Sequence, residues 1–312
     1  MSTSGISAFL SSEEALADWN LLTNYGNRKP TDEELLNWYN HWVDKWHGVQ
    51  KEVVVKYLVA DYKMRTEKLE EIRNKCTFPE NTFIVPLDLN TGTSIKTAVD
   101  TVVNLGRLDL VINNAGIAQK GLVLENTMEV ERMIMETNYF GTVELTKAIL
   151  PHYLEQGHGW FAVVTSIAGI VGVPGRSAYA ASKHALHGFF DSLRAEQYPC
   201  PIDVTIIMPG FINTSITAKE LRGNGEQNGA IEKSHRLGMS SQKCARKIIR
   251  KLARKPNNIK VGGVEIFSLY LSRFAPNLFE FLIRNHPMKR WRIFLRWLQF
   301  KGNPKKKHSN RN

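Results

Sequence analysis

Short apolar runs alternate with longer amphipathic segments over most of this chain, beginning at Val53. VVVKYLVA (53–60) is rich in β-branched residues and predicts a strand, and MRTEKLEEIRNKC (64–76) has the spacing of a helix. The alternation continues with strand TFIVPLDL (82–89), helix SIKTAVDTVVNL (94–105) and strand LDLVI (108–112). A long helix follows from about Met128 to Tyr153, then strand WFAVVTS (160–166), a helix opening with YAASK (179–183), and strand DVTIIM (203–208). Helical segments of this length between strands imply crossover connections, hence a parallel sheet with helices on both faces. Strands this uniformly apolar fit burial on both sides. The predicted class is α/β, a doubly wound parallel sheet.

The flanks differ. In TDEELLNWYNHWVDKWHG (31–48), Thr31 and Glu34 form a capping box, and Leu35, Tyr39, Trp42 and Trp46 share a helical face. Such an aromatic stripe reads as buried core or as a docking face. Residues 211–240 are polar and rich in Gly and Asn, and predict a long loop, either mobile or a lid over a substrate. Near the end, Trp291, Phe294, Leu295 and Leu298 share one helical face, flanked by Lys289, Arg292 and Arg296. A basic amphipathic helix suits a membrane surface or a partner; a packed terminal helix with a basic end is the other reading. The chain thus divides into a helical segment at 1–50, a sheet domain at 51–270 and a basic extension at 271–312.

Charge sharpens that division. The formal charge is +11, yet ten Lys and Arg and no acidic residue fall from Phe281 onward, so the other 280 residues hold thirty-one basic against thirty acidic side chains. A nearly neutral domain argues against nucleic acid as a partner. Cys76, Cys200 and Cys244 are far apart, which suits reduced thiols and neither a metal site nor a disulfide framework. The first twenty residues lack the basic start and apolar run of a signal peptide, and no stretch reaches the roughly 18 apolar residues of a spanning helix.

In a doubly wound sheet, ligands sit at the carboxyl ends of the strands. Polar and Gly-containing clusters fall at those ends: Asp88, Asn113–Gly116, Ser166 and Pro209–Gly210. Tyr179 and Lys183 lie four apart at the start of a helix, on one face. An ammonium close to a phenol favours the phenolate and lowers its pKa toward the range where it can exchange a proton with an alcohol or carbonyl. A hydroxyl such as Ser166 can polarise the same oxygen. These are parts for interconverting C=O and CH–OH, given a hydride carrier alongside.

The combination NNAG (113–116), ETNYFGT (136–142), TSIAG (165–169), YAASK (179–183) and PGFINT (209–214), in this order, resembles the short-chain dehydrogenase/reductase family over roughly Asp61 to Glu265. Within it, SAYAASKHALHGFFDSLRAE (177–196) most resembles the dehydrogenase/reductase member 7 group. The resemblance implies a Rossmann-like fold and a homo-oligomer. It makes Tyr179 the acid/base and Lys183 the group that lowers its pKa and holds the nicotinamide ribose. Ser166 would bind the substrate oxygen, and Asn138 would hold a water linked to Lys183. Asp88, Asn114, Ala115, Gly116, Pro209, Gly210, Ile212 and Thr214 would contact the cofactor, together with Tyr179 and Lys183. No metal is implied. The expected reaction is NAD(P)-dependent conversion between an alcohol and a carbonyl on a lipophilic substrate such as a steroid, retinoid or keto-lipid. Relatives at membranes, with the basic tail, suggest the cytoplasmic side of the endoplasmic reticulum.

The chain departs from the family at its start. The expected Thr-Gly-x-x-x-Gly-x-Gly turn after a first strand, whose backbone N–H groups hold a pyrophosphate, is not found; SGI (4–6) is its nearest remnant, with Ser7 in place of the last Gly. Three accounts stay open: replacement by the segment at 31–47, truncation, or a non-catalytic binding protein that keeps the site for contact. The cofactor is open as well. Asp61 suits a ribose 2′-hydroxyl, whereas Lys63 and Arg65 suit a 2′-phosphate, and the resemblance leans toward NADP(H) over NAD(H).

Overall fold

Apolar runs of four to eight residues are too short to stand as helices and pair as strands, while longer runs with apolar positions three and four apart coil. The computed structural model of the chain describes residues 55–60, 69–70, 73–75, 82–214, 216, 219–229 and 233–285. In chain order its elements are β1 (Val55–Ala60), β2 (Thr82–Leu87), α1 (Gly92–Asn104), β3 (Leu110–Asn113), β4 (Gln119–Lys120) and α2 (Met128–Met135). A π turn at Glu136–Phe140 leads into α3 (Gly141–Gln156), then β5 (Gly159–Val164), α4 (Ser177–Glu196), β6 (Ile202–Pro209), β7 (Ile212–Asn213) and β8 (Leu221–Arg222). After these come α5 (Lys233–Arg236), β9 (Met239–Ser240), α6 (Ser241–Leu252), β10 (Asn258–Val261), α7 (Phe267–Phe274) and α8 (Pro276–Arg284).

The α/β alternation is as the pattern predicts. β1 pairs parallel with β2, Val55 opposite Thr82, and β10 pairs parallel with β6, Asn258 opposite Ile206. The parallel sheet flanked by helices is of the doubly wound class expected. Among the described residues β1–β2 is a pair of its own, and the larger sheet has the order β10-β6-β5-β3. In a doubly wound sheet the first strand of the fold lies between the two strands that β1 and β3 represent. Residues 1–54, including the aromatic helix expected at 31–47 and the SGI remnant, lie outside the described residues, as do Asp61, Lys63, Arg65 and the basic tail beyond 285.

One expectation is revised. The stretch 211–240 is not a plain loop: β7 pairs parallel with β9, and β8 pairs parallel with β4. These strands are two residues long, too short to leave a period in the sequence.

The chain forms two compact units. The first gathers described residues within 1–115, 136–162 and 189–204, the second those within 116–135, 163–188 and 205–312. In the first unit α1 buries Ile95, Ala98, Val99 and Val102, one face at helical spacing, and packs against α3. α3 starts with Gly141, where an added Cβ would lie 2.2 Å from the Leu89 carbonyl oxygen. Only glycine permits that approach of helix to the turn after β2. In the second unit Val130 and Ile134 of α2 pack with Ala178 of α4, with Ile117 and Leu221 alongside.

Gly141→Ala is therefore expected to destabilise the fold by roughly 2–4 kcal/mol, because the backbone of the β2 turn must move. Denaturant unfolding of the variant checks this; a loss under about 1 kcal/mol, within the range of well-tolerated core changes, would mean the contact gives way easily.

Candidate active site

The second unit brings Ser166, Tyr179 and Lys183 together. Ser166 follows β5 and caps the short 3-10 turn after it, its Oγ accepting from the Ala168 N–H at 3.1 Å. Its side chain also hydrogen-bonds the Tyr179 phenol. Tyr179 is half-buried in the first turn of α4, with Ala178 and Ala180 buried beside it. One turn on, Lys183 is buried, its Nζ donating to the Val164 carbonyl at 3.0 Å and lying 5.9 Å from the centre of the Tyr179 ring.

Burial acts on both groups in favour of the neutral form. It raises the phenol of Tyr179, opposed by the hydrogen bond with Ser166 and then by the charge of Arg176. It pulls the Lys183 ammonium down to about 8. Besides Lys183, which is expected to lower the phenol, Arg176 three residues before Tyr179 carries a charge that favours the phenolate. Spacing of four places two side chains on one face, but does not say which charge the low-dielectric surroundings leave effective.

The remaining residues of the second unit line the end of β6. Pro209, Gly210, Ile212 and Thr214 are all half-buried. Glu265 Oε1 accepts from the backbone N–H groups of Phe211 and Gly263, at 2.8 and 2.9 Å. A Cβ on Gly210 would collide with that carboxylate. Glu265 therefore fixes this strand end, a role nothing in the sequence pattern signals. Gly116, also in this unit, is half-buried.

The first unit holds the others. Asn138 is fully buried in the π turn, an irregularity frequent at functional positions. The neighbouring Thr137 donates to Asn90 Oδ1 at 2.9 Å, and Asn90 in turn donates to the Asp88 carboxylate through its backbone N–H at 2.9 Å. Asp88 is held in this turn and remains half-buried. Asn113 is buried and donates to Thr146 Oγ1 at 3.3 Å, while Asn114 is exposed and Ala115 half-buried at the end of β3.

Residues 50–225 match the family model described as short chain dehydrogenase. The chain belongs to the short-chain dehydrogenase family. Dehydrogenase/reductase SDR family member 7B of Xenopus laevis is 38% identical over 226 residues, covering 72% of this chain and 70% of that protein. Among solved structures, a short-chain dehydrogenase/reductase from Burkholderia phymatum in complex with NAD is 17% identical, with a TM-score of 0.61 over 77% of this chain and 90% of its own. A short-chain dehydrogenase from Burkholderia cenocepacia in complex with NADP is 21% identical, with a TM-score of 0.58 over 72% and 84%. These two show the Rossmann-like fold, and the sequence relatives make this chain a member of an oxidoreductase family.

For this dehydrogenase, Lys183 supplies a thermodynamic check. Its folded pKa of about 8 lies below the 10.5 of an ordinary lysine. Between those values the unfolded chain holds more protons, so the contribution of Lys183 to stability rises with pH across that window and is least favourable below about 8. Lys183→Met is expected to unfold at the same or a higher temperature than wild type at pH 7. The gap should shift in favour of wild type, by roughly 1–3 kcal/mol, between pH 8 and 10. Melting curves of both proteins across that range test it; a gap that does not change with pH would show that burial is not what holds the ammonium down.

Proposed function

We propose that the chain is an NADP(H)-dependent oxidoreductase that reduces a carbonyl on a lipophilic substrate to an alcohol, with Tyr179 as the general acid. The observation that carries this reading is the Ser166–Tyr179–Lys183 cluster in the second unit. Burial keeps the Tyr179 phenol protonated near neutral pH, the state needed to donate a proton to a carbonyl oxygen. Ser166 already shares a hydrogen bond with that phenol, and so is placed to steady the same oxygen. Lys183, with a pKa of about 8, can return a proton to the phenol near neutrality. The Val164 carbonyl orients its ammonium.

The donor set fits a nicotinamide dinucleotide. Val164 takes a single bond from Lys183, and an ammonium has three donors, which suits a ribose diol. In the second unit Thr214 adds a neutral hydroxyl, and the backbone at Gly116, Pro209, Gly210 and Ile212 offers amide and carbonyl partners without bulk; in the first, Asn114 and Ala115 offer an amide and backbone groups. Asp88 would meet the adenine end and Asn138 would hold a water. The cofactor, when bound, supplies the hydride. Relatives in fold have been solved with NAD and with NADP; Lys63 and Arg65 support the phosphorylated form here.

Calorimetric titration with NADPH and NADH is the direct test, with tighter binding of NADPH expected; no binding of either would favour a non-catalytic binding role. With NADPH and all-trans-retinal or a keto-steroid as probes, Tyr179→Phe should lower kcat by roughly 10²–10⁴-fold. Full activity in that variant would remove Tyr179 from the mechanism.

Contact with a membrane surface is proposed as well. α7 and α8 expose Phe267, Tyr270, Phe274, Leu278 and Phe281, directly before the stretch with ten basic and no acidic residues from Phe281 onward. Apolar anchors beside clustered cations suit anionic lipid, at about 1 kcal/mol per charge near the surface. The protein is expected to float with phosphatidylserine-containing vesicles and not with neutral ones. Phe274→Ser with Phe281→Ser should weaken binding roughly tenfold; equal flotation of the double variant would discount this face.

A further inference from the structure

Glu220 is a fully buried carboxylate in a stretch that the sequence reads as polar loop. Its Oε2 lies 2.9 Å from Arg176 Nη1, and its Oε1 accepts from Asn228 Nδ2 at 3.0 Å, with Lys120 Nζ at 4.0 Å. The backbone closes the same loop: Asn228 N–H donates to the Glu220 carbonyl at 2.9 Å, and Arg222 N–H donates to the Glu226 carbonyl at 2.7 Å. Leu221 N–H donates to the Ala118 carbonyl at 2.9 Å, where β8 joins β4. Arg176 stands at the head of α4, its carbonyl accepting the first helical bond from Ala180 N–H at 2.8 Å. Next to it, Ser177 Oγ accepts from Asn126 Nδ2 at 3.1 Å, and Asn126 Nδ2 also donates to Glu131 Oε1 at 2.9 Å. All these residues belong to the second unit.

We propose that the Arg176–Glu220 ion pair is a positioning device, through which Glu220 fastens the 220–228 loop to the head of α4, the helix whose first turn carries Tyr179. The proposal rests on Tyr179 being the acid of the reaction. A buried carboxylate stays ionised only with partners such as these, and removing one partner strands the other's charge. Arg176 acts on the Tyr179 phenol in the direction of the phenolate. Glu220 offsets that charge. The charged groups around the pair are Lys120 on β4, Arg222 on β8, Glu131 on α2 and Lys183 on α4. Of these, Lys120 adds to the positive field at Glu220. Glu131 is engaged by Asn126 and by Ser177, whose Oγ lies 3.4 Å from it. Arg222 donates to the Asn228 carbonyl at 3.3 Å, and Lys183 to that of Val164. Neither loop nor helix head is therefore independent of the other: the 220–228 loop is fastened to the residue at the head of the helix that carries Tyr179.

Two readouts test this with the full chain. In the first, NADPH-dependent reduction of all-trans-retinal is followed against pH. Glu220→Gln leaves Arg176 unbalanced and should move the tyrosine-dependent limb of kcat to lower pH, by about one unit. Arg176→Met should move it to higher pH by a similar amount, and Arg176→Lys should stay near wild type. In the second, limited trypsin digestion reads the fastening without any activity. Cleavage after the exposed Arg222 should rise at least severalfold in both Glu220→Gln and Arg176→Met, and little in Arg176→Lys. Shifts of the limb in the same direction in both variants, no shift, or unchanged cleavage would overturn the proposal. If Glu220→Gln does not fold, the contrast between Arg176→Met and Arg176→Lys still decides it. If Tyr179→Phe keeps full activity, the catalytic reading fails instead, and the digestion still answers for the latch.

Discussion

Desolvation of the first two turns of α4 is the constraint on which the site depends. A half-buried phenol and a buried amine lie within one turn of each other, and burial presses each toward its uncharged form. The cost is tolerable because neither is left without a polar neighbour: Ser166 meets the phenol and Val164 meets the amine. The apolar positions that enforce this, Ala178, Ala180 and Leu186, are small or well packed and fully buried. A helix with the same Tyr and Lys on a solvated face would keep both groups at ordinary values and would be chemically inert.

Around that core the second unit arranges fixed charges at graded distances. Arg176 is near enough to be felt by the phenol, and Glu220 near enough to Arg176 to moderate it. Glu265 works on a different problem, pinning the end of β6 through two backbone N–H groups. Each of these two carboxylates is thus committed to a structural partner. That distribution suits chemistry in which negative charge grows on a substrate oxygen.

Much of this was legible from the residues alone. The strands showed because β-branched runs are bounded by polar turns, and Ser166, Tyr179 and Lys183 showed because their spacing repeats a known order at strand ends. The family membership followed from that order. Arg176 stands three residues from Tyr179 but carries no motif, and Glu220 is forty-four residues further on amid Gly, Asn and charged neighbours that read as solvated. Their pairing depends on two-residue strands, which leave no hydrophobic period. The lowering of Lys183 by burial was not legible for a related reason: sequence spacing reports proximity, whereas pKa follows solvent exclusion, which only the packed fold determines.

The π turn at Glu136–Phe140 has a consequence beyond the burial of Asn138. An α-helix advances about 100° per residue, so Ile134 and Leu145, eleven apart, would fall within roughly 20° of each other on an unbroken helix. A wider turn absorbs one additional residue and sets the two segments out of phase by about 100°. The buried positions of α2 and of α3 therefore belong to different stripes of what is one continuous coil. Asn138, fully buried within that turn, sits at the position where the helical register changes.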